Sequence, residues 1–168
     1  SRPQRTAVLV EQWLRSGKQA RSLHSAVMRM DINGAHLDVL RHLVPGRLND
    51  VRDVARNGIG LLGASHAWAR EVFDKFGPLL PCVVREDIVI PFRSAMLGPI
   101  VYINEPLVDW RVGLSTWHSM HETSAEVEEM RKRSRFHLRL GHIDAVQAYA
   151  DATLHDDPAI TQLVYTRL

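Results

Sequence analysis

The stretch that most restricts how this chain can fold is residues 86–98, EDIVIPFRSAMLG. It is an apolar run at helical spacing, opened by two adjacent carboxylates and closed by a glycine. Proline is tolerated in the first turn of a helix but lacks the N–H that the interior needs, so Pro91 predicts a helix starting close to Asp87 or shortly after it. A helix this apolar must be buried, and the rest of the chain has to supply the layers that cover it. The carboxylates at its mouth have two readings. Glu86 and Asp87 can accept from free backbone N–H groups and suit the positive end of the helix dipole. Alternatively, one of them is a general base.

The flanking segments alternate between helical and extended patterns. Val8, Leu9, Val10, Trp13 and Leu14 cluster on one side of a short amphipathic helix that Gly17 can stop. Residues 20–30 read as a strand closed by the turn Asp31-Ile32-Asn33-Gly34, and residues 36–43 as one or two helical turns. Asn49 or Asp50 can cap a short helix ending at Asn57-Gly58. After the glycine-rich block GIGLLGAS, the segment HAWAREVFDKFG predicts a helix with Trp68, Val72, Phe73 and Phe76 inward.

Residues 99–107, PIVYINEPL, read as a strand. From Ser119 the pattern is that of a long exposed helix, with a capping box at Ser119 and Glu122 and favourable pairs Glu128–Lys132 and Glu129–Arg133. Asp157-Pro158 marks the start of a last short helix carrying Ile160, Leu163 and Val164. The class is α/β, with one boundary near residue 117 separating residues 1–117 from a helical extension over 118–168.

Composition removes several function classes. With 168 residues, 45% apolar and 24% charged, the chain has the balance of one globular domain. Its 21 basic and 19 acidic residues leave a net charge of +2, so no electrostatic footprint for nucleic acid is visible. Cys82 stands alone, which excludes an internal disulfide or a cysteine metal cluster and suggests a core thiol in a reducing compartment. The nine histidines show no H-E-x-x-H or other metal spacing, so no metal ligands are assigned. No apolar run approaches the ~20 residues of a membrane span, and SRPQRT lacks the apolar centre of a signal peptide.

Two motifs are set aside. GIGLLG, residues 58–63, matches the dinucleotide fingerprint, with Glu86 at about the distance of a ribose-binding acid. The fingerprint requires a buried strand immediately upstream, however, and DVRDVARN is polar and helix-like, so the glycines are read as a loop allowing close backbone approach. The basic run RKRSRFHLR, residues 131–139, suits phosphates or an anionic membrane. Its upstream glutamates favour a solvated helix face instead, with Phe136, Leu138 and Leu140 packing inward.

Taken in succession, GLLGASHAW, the Glu86-Asp87 pair, the helix ending at Gly98, IVYINEPL and DWRVGLS resemble the second half of a family 2 glycosyltransferase. The likeness covers residues 20–116. It implies a partial GT-A, Rossmann-like half with a small mixed sheet flanked by helices, and transfer of a sugar from a nucleotide-sugar donor to an acceptor hydroxyl with inversion. It assigns Asp87 as the base with Glu86 beside it. Gly63, Ala64, Ser65 and His66 fall where relatives line the sugar pocket, Arg85 joins the substrate-binding residues, and Arg111 matches an aromatic-Arg motif placed to meet the leaving diphosphate. Many relatives carry a histidine two residues after that arginine, where this chain has Gly113.

The family's first half ends in a D-x-D-like motif that holds a divalent metal, and nothing of that kind precedes the first helix. The resemblance therefore implies a chain beginning just after it: an acceptor-side half, inactive alone, whose full-length enzyme uses Mg²⁺ or Mn²⁺. The partners it implies are the nucleotide-sugar donor and a sugar or glycolipid acceptor, with no nucleic acid. It further implies a cytoplasmic location with peripheral contact at the inner membrane face, in polysaccharide synthesis, and the exposed half-sheet suggests a homo-oligomer. The alternative is a non-catalytic interaction or carbohydrate-binding domain of the same fold.

Overall fold

The computed structural model describes residues 1–41, 45–83, 85–112 and 139–168. Its centre is β1 (Ser22–Met30), whose first six residues are all buried, as expected of a strand covered on both faces. β4 (Ile100–Arg111) runs parallel to β1 along its whole length, from Ser22 opposite Ile100 to Met30 opposite Arg111. The other edge of β1 is shared by two short antiparallel strands: β2 (His36–Leu40) at its end and β3 (Ala67–Trp68) at its start. The result is a small mixed four-stranded sheet. Ala26 pairs with Pro106 directly after Ser25 pairs with Ile103, so Asn104 and Glu105 bulge out of the β4 ladder. A proline cannot donate to a ladder, and a bulge is where a strand accommodates one.

Helices cover both faces. Ile100 and Ile103 are three apart on β4 and so point to opposite sides. Ile103 packs with Ala20, Leu23 and Leu107 beneath α1 (Arg5–Arg15), where Val8, Leu9 and Trp13 cover them. Ile100 packs with Val54 of α2 (Val51–Asn57), Phe92 of α4 (Glu86–Leu97), Ala148 and Ala152 of α5 (residues 139–152), and Ile160 and Val164 of α6 (Pro158–Tyr165). The C-terminal helices thus share one core with α2 and α4. α3 (Glu71–Phe76) lies between β3 and α4, with Val72 and Phe76 inward.

Local signals account for several boundaries. The Asp50 side chain accepts from the backbone N–H groups of Arg52 and Asp53 at the start of α2, and Gly58 ends that helix at φ +60°, a conformation costly for residues with a Cβ. Asp157 caps α6 by accepting from the Ala159 N–H, with Pro158 in the first turn.

Three expectations are corrected. Residues 36–40 form a strand rather than a helical turn: the Asp31–Gly34 turn folds them back on β1, and Asp38 pairs with Arg29 across the hairpin. Trp68 belongs to β3 and is 43% exposed, because pairing with Ser22 occupies it before α3 begins at Glu71. Cys82 is exposed in the proline-flanked loop before α4. α4 starts at Glu86, close to Asp87 as expected, with Pro91 beyond the first turn. The strand expected over 99–107 also continues to Arg111. The helix expected from Ser119, its charge pairs, the boundary near 117 and all but Arg139 of the basic run lie outside the described residues.

The largest polar feature of the core is Arg93, fully buried on α4. Its guanidinium makes two bonds to Asp151 of α5, at 2.7 and 2.9 Å, and a third to the Gly77 carbonyl at 2.8 Å. Phe73 and Phe76 each lie 5.6 Å from it, and Gln147 donates to the Asp151 carboxylate at 2.9 Å. A buried charge is tolerable only when paired and bonded in this way.

Candidate functional site

The glycine-rich loop and the mouth of α4 are joined by their backbones. Pro91 has no N–H to give to the carbonyl four residues earlier, which leaves the Asp87 C=O without its helical partner. The Leu61 N–H donates to that carbonyl at 2.8 Å. The approach is close enough that a Cβ on Gly60 would lie 2.9 Å from the Asp87 oxygen and 2.9 Å from Ile88 Cγ1. Proline and glycine, thirty-one positions apart, thus make one junction.

Beyond the junction, Gly63–Ser65 forms a single 3₁₀ turn that passes the acidic pair. A Cβ at Gly63 would sit 3.5 Å from Asp87 Cβ and 3.6 Å from Glu86 Oε1, so the missing side chain leaves the carboxylates uncovered on that side. Ala64 is exposed, while Ser65 is buried and its hydroxyl donates to the Leu62 carbonyl at 2.9 Å. The His66 ring turns away to β1, where Nε2 meets the Ser22 hydroxyl at 2.8 Å, and burial pushes its pKa down to about 4. The structure therefore gathers Gly63, Glu86 and Asp87, with His66 one turn away in the wall.

Glu86 is exposed and Asp87 half-buried. The Asp87 carboxyl is held above the usual carboxylate range, chiefly by burial and then by the negative charge of Glu86; Arg85 opposes this, and Asp144 adds to it. Arg85 does not pair with either neighbour. Its side chain crosses to α5, where Nε donates to Asp144 Oδ2 at 2.6 Å and Nη2 pairs with the same oxygen. Gly141, one turn before Asp144, lies alongside it: a Cβ there would be 3.5 Å from Arg85 Nη2, an ordinary contact. Asp144 is itself 1% exposed, and Arg167 beyond α6 adds a second positive charge near it.

Arg111 lies elsewhere. It is exposed at the end of β4, with Nη2 3.9 Å from where a Cβ on Gly34 would be. The eight steps of β1 from Ser22 to Met30, at about 3.3 Å each, separate that end from the Ser22–His66 contact by roughly 26 Å. Among the described residues no three His, Cys, Asp or Glu side chains come together to hold a metal ion, and no step below passes through one. None of the described helices is long and apolar enough to cross a membrane.

A second concave feature, of about 370 Å³, lies between α1 and β3. Its lining combines Trp13, Trp68, Leu9 and Leu23 with Lys18, Arg21 and Arg70.

Asp144, Arg167 and Arg93 were not singled out by the sequence. Arg93 carried the one usable signal: it falls four residues after Val89 on the apolar face of α4, where a charge demands a partner. Compared with models of known protein families, with curated proteins and with solved structures, the chain matches none.

Proposed function

We propose that this chain is the acceptor-side half of an inverting family 2 glycosyltransferase with a partial GT-A fold, in which Asp87 is the general base. The observation that carries the reading is the meeting of the GAS segment with the acidic pair: Gly63 borders Asp87 and Glu86 without a side chain to cover them. An acceptor hydroxyl could approach the Asp87 carboxylate from that side. A hydroxyl is a poor nucleophile until its proton is taken, and a carboxylate within hydrogen-bond reach supplies that function.

In this mechanism the acceptor oxygen attacks the anomeric carbon of the donor sugar from the face opposite the diphosphate. Its proton passes to Asp87 as the new C–O bond forms. The bond from that carbon to the phosphate oxygen breaks, the electron pair leaves with the diphosphate, and the anomeric configuration inverts. Burial and the neighbouring Glu86 make Asp87 a stronger base than a solvated aspartate. Arg111, which the resemblance matched to the leaving diphosphate, lies at the opposite end of β1 from the acidic pair and has no part in this step. The carboxylates that would bind the donor's Mg²⁺ or Mn²⁺ belong, in this reading, to the nucleotide-binding half, and the enzyme would work at the cytoplasmic face of a membrane.

The test is transfer from a panel of nucleotide sugars, with Mg²⁺ or Mn²⁺, by a protein that includes the nucleotide-binding half. Asp87→Asn is expected to lower kcat by on the order of 10²–10⁴-fold while donor binding survives. Unchanged transfer by the variant would reduce Asp87 to a helix-terminal residue and refute the mechanism.

The groove between α1 and β3 favours one second reading, a non-catalytic carbohydrate-binding domain. Trp13 and the exposed Trp68 offer aromatic surface to a sugar ring. That reading predicts tryptophan fluorescence changes on titration with oligosaccharides, unaffected by Asp87→Asn.

A further inference from the structure

Asp144 is tied to the mouth of α4 through Arg85, although 57 residues separate it from Asp87. One of its features is costly for a residue with only a structural job. The carboxylate is buried, yet only Oδ2 is used by Arg85, and Oδ1 has no partner among the described residues. Arg93–Asp151 already joins α4 to α5 with a bidentate pair, so the second link is not needed to dock the helix.

What the second link changes is the direction of a cation. Arg85 sits two residues before Asp87 and one before Glu86. Without Asp144, its guanidinium would have these two carboxylates as its nearest acidic partners, and an arginine in direct contact would lower the basicity of either. Bound to α5, it is drawn off, and the Asp144 charge opposes its remaining pull on Asp87.

We propose that Asp144 is a positioning residue for Asp87: by holding the Arg85 guanidinium against α5, it keeps that cation out of the acidic pair and leaves the Asp87 carboxylate free to take a proton. This rests on the reading of Asp87 as the base. The charged groups that face Asp87 among the described residues are Glu86 and Arg85 on its own side and Asp144 from α5, while Arg167 faces Asp144 and Arg85. Their signs agree with the geometry, since Asp144 raises the Asp87 pKa and Arg85 lowers it.

The test is a carboxyl ¹³C NMR titration of Asp87 in the 168-residue chain, the signal being identified by its loss in Asp87→Asn. In Asp144→Asn, which keeps an oxygen for Arg85 but loses the charge, the Asp87 midpoint is expected to fall by on the order of one pH unit. In Arg85→Gln it is expected to rise. Because both charges also act on Asp87 through space, the deciding comparison is Asp144→Asn in the Arg85→Gln background: the fall is expected to disappear there, whereas the same fall with or without Arg85, or no shift in any variant, would overturn the proposal. If Asp144→Asn alone does not fold, Arg85→Gln is compared with Arg85→Gln/Asp144→Asn, which strands no charge: equal midpoints sustain the proposal and a lower midpoint in the double variant overturns it. The two failures are separable. A midpoint that shifts as expected, beside an Asp87→Asn enzyme that still transfers sugar, sustains the positioning role and removes only the catalytic one.

Discussion

His66 gives the sharpest test of the fold around the site. Its ring is 5% exposed and bonded to the Ser22 hydroxyl, and burial lowers its pKa from 6.5 to about 4. The unfolded chain therefore binds a proton at this residue below about pH 6.5 while the folded chain refuses it until about pH 4. The stability contributed is present above the unfolded pKa and lost as pH falls through that window. Each pH unit costs about 1.4 kcal/mol for one proton, so the full loss is about 3 kcal/mol, of which about 2 kcal/mol falls between pH 7.5 and pH 5. Urea unfolding at those two pH values in wild type and His66→Gln isolates the effect, because every other titrating group is common to both. The variant is expected to be less stable at pH 7.5 and to lose about 2 kcal/mol less on acidification. Equal losses in the two proteins would mean that His66 accepts its proton in place, and the burial argument would be refuted.

Two further changes probe the junctions on either side of α4. Gly60→Ala drives a Cβ into the Asp87 carbonyl and Ile88, so a destabilisation of about 1–3 kcal/mol is expected, with faster hydrogen exchange at the Leu61 amide; normal protection there would count against the junction. Arg93→Met strands the buried Asp151 and is expected to cost about 3–5 kcal/mol in urea unfolding, whereas adding Asp151→Leu should recover much of it. A double variant no more stable than the single one would show that Arg93 acts through its carbonyl and aromatic contacts instead.

The parts of the fold readable in the sequence are those fixed by neighbours along the chain. Asp50 and Asp157 cap the helices they precede, Gly58 ends α2, and the apolar run of β1 is a buried strand. The parts that were not readable depend on distant residues. Leu37 and Leu40 have a spacing that serves a helix or a loose strand equally, and only the hairpin with β1 decides. Trp68 is large and apolar, so the pattern sends it inward, but β3 is short and leaves it at the surface. Pro91 was read as a helix-start signal; its tolerance deeper in α4 comes from Leu61, which no local rule connects to it. The acidic pair and its glycine neighbour were visible as a motif. Arg85–Asp144 and Ser22–His66 were not, since separations of 59 and 44 residues carry no periodic signal.

The pair at the mouth of α4 began with two readings, a helix cap or a base, and the direction of the Asp87 shift bears on them. A carboxylate placed to stabilise a helix start gains from the dipole and from backbone donors when ionised, so folding should lower its pKa. Folding raises that of Asp87. By linkage, its contribution to stability is present below the ordinary carboxylate range and lost as pH rises through the raised value, so at neutral pH the ionised group costs the fold free energy. The N-cap position, Arg85, supplies no side-chain bond to the helix, and its guanidinium is drawn away to Asp144. Asp50 and Asp157 accept backbone N–H groups of residues that follow them in the first turn, whereas the backbone bond that lowers the Asp87 pKa is to its own N–H and is outweighed by burial. A carboxylate raised in this way by burial, beside a glycine that leaves it uncovered, is what the base reading requires. Asp87→Asn should therefore leave the fold at least as stable at pH 7 as the wild type, and a clear loss of stability in urea unfolding would return Asp87 to the role of a cap.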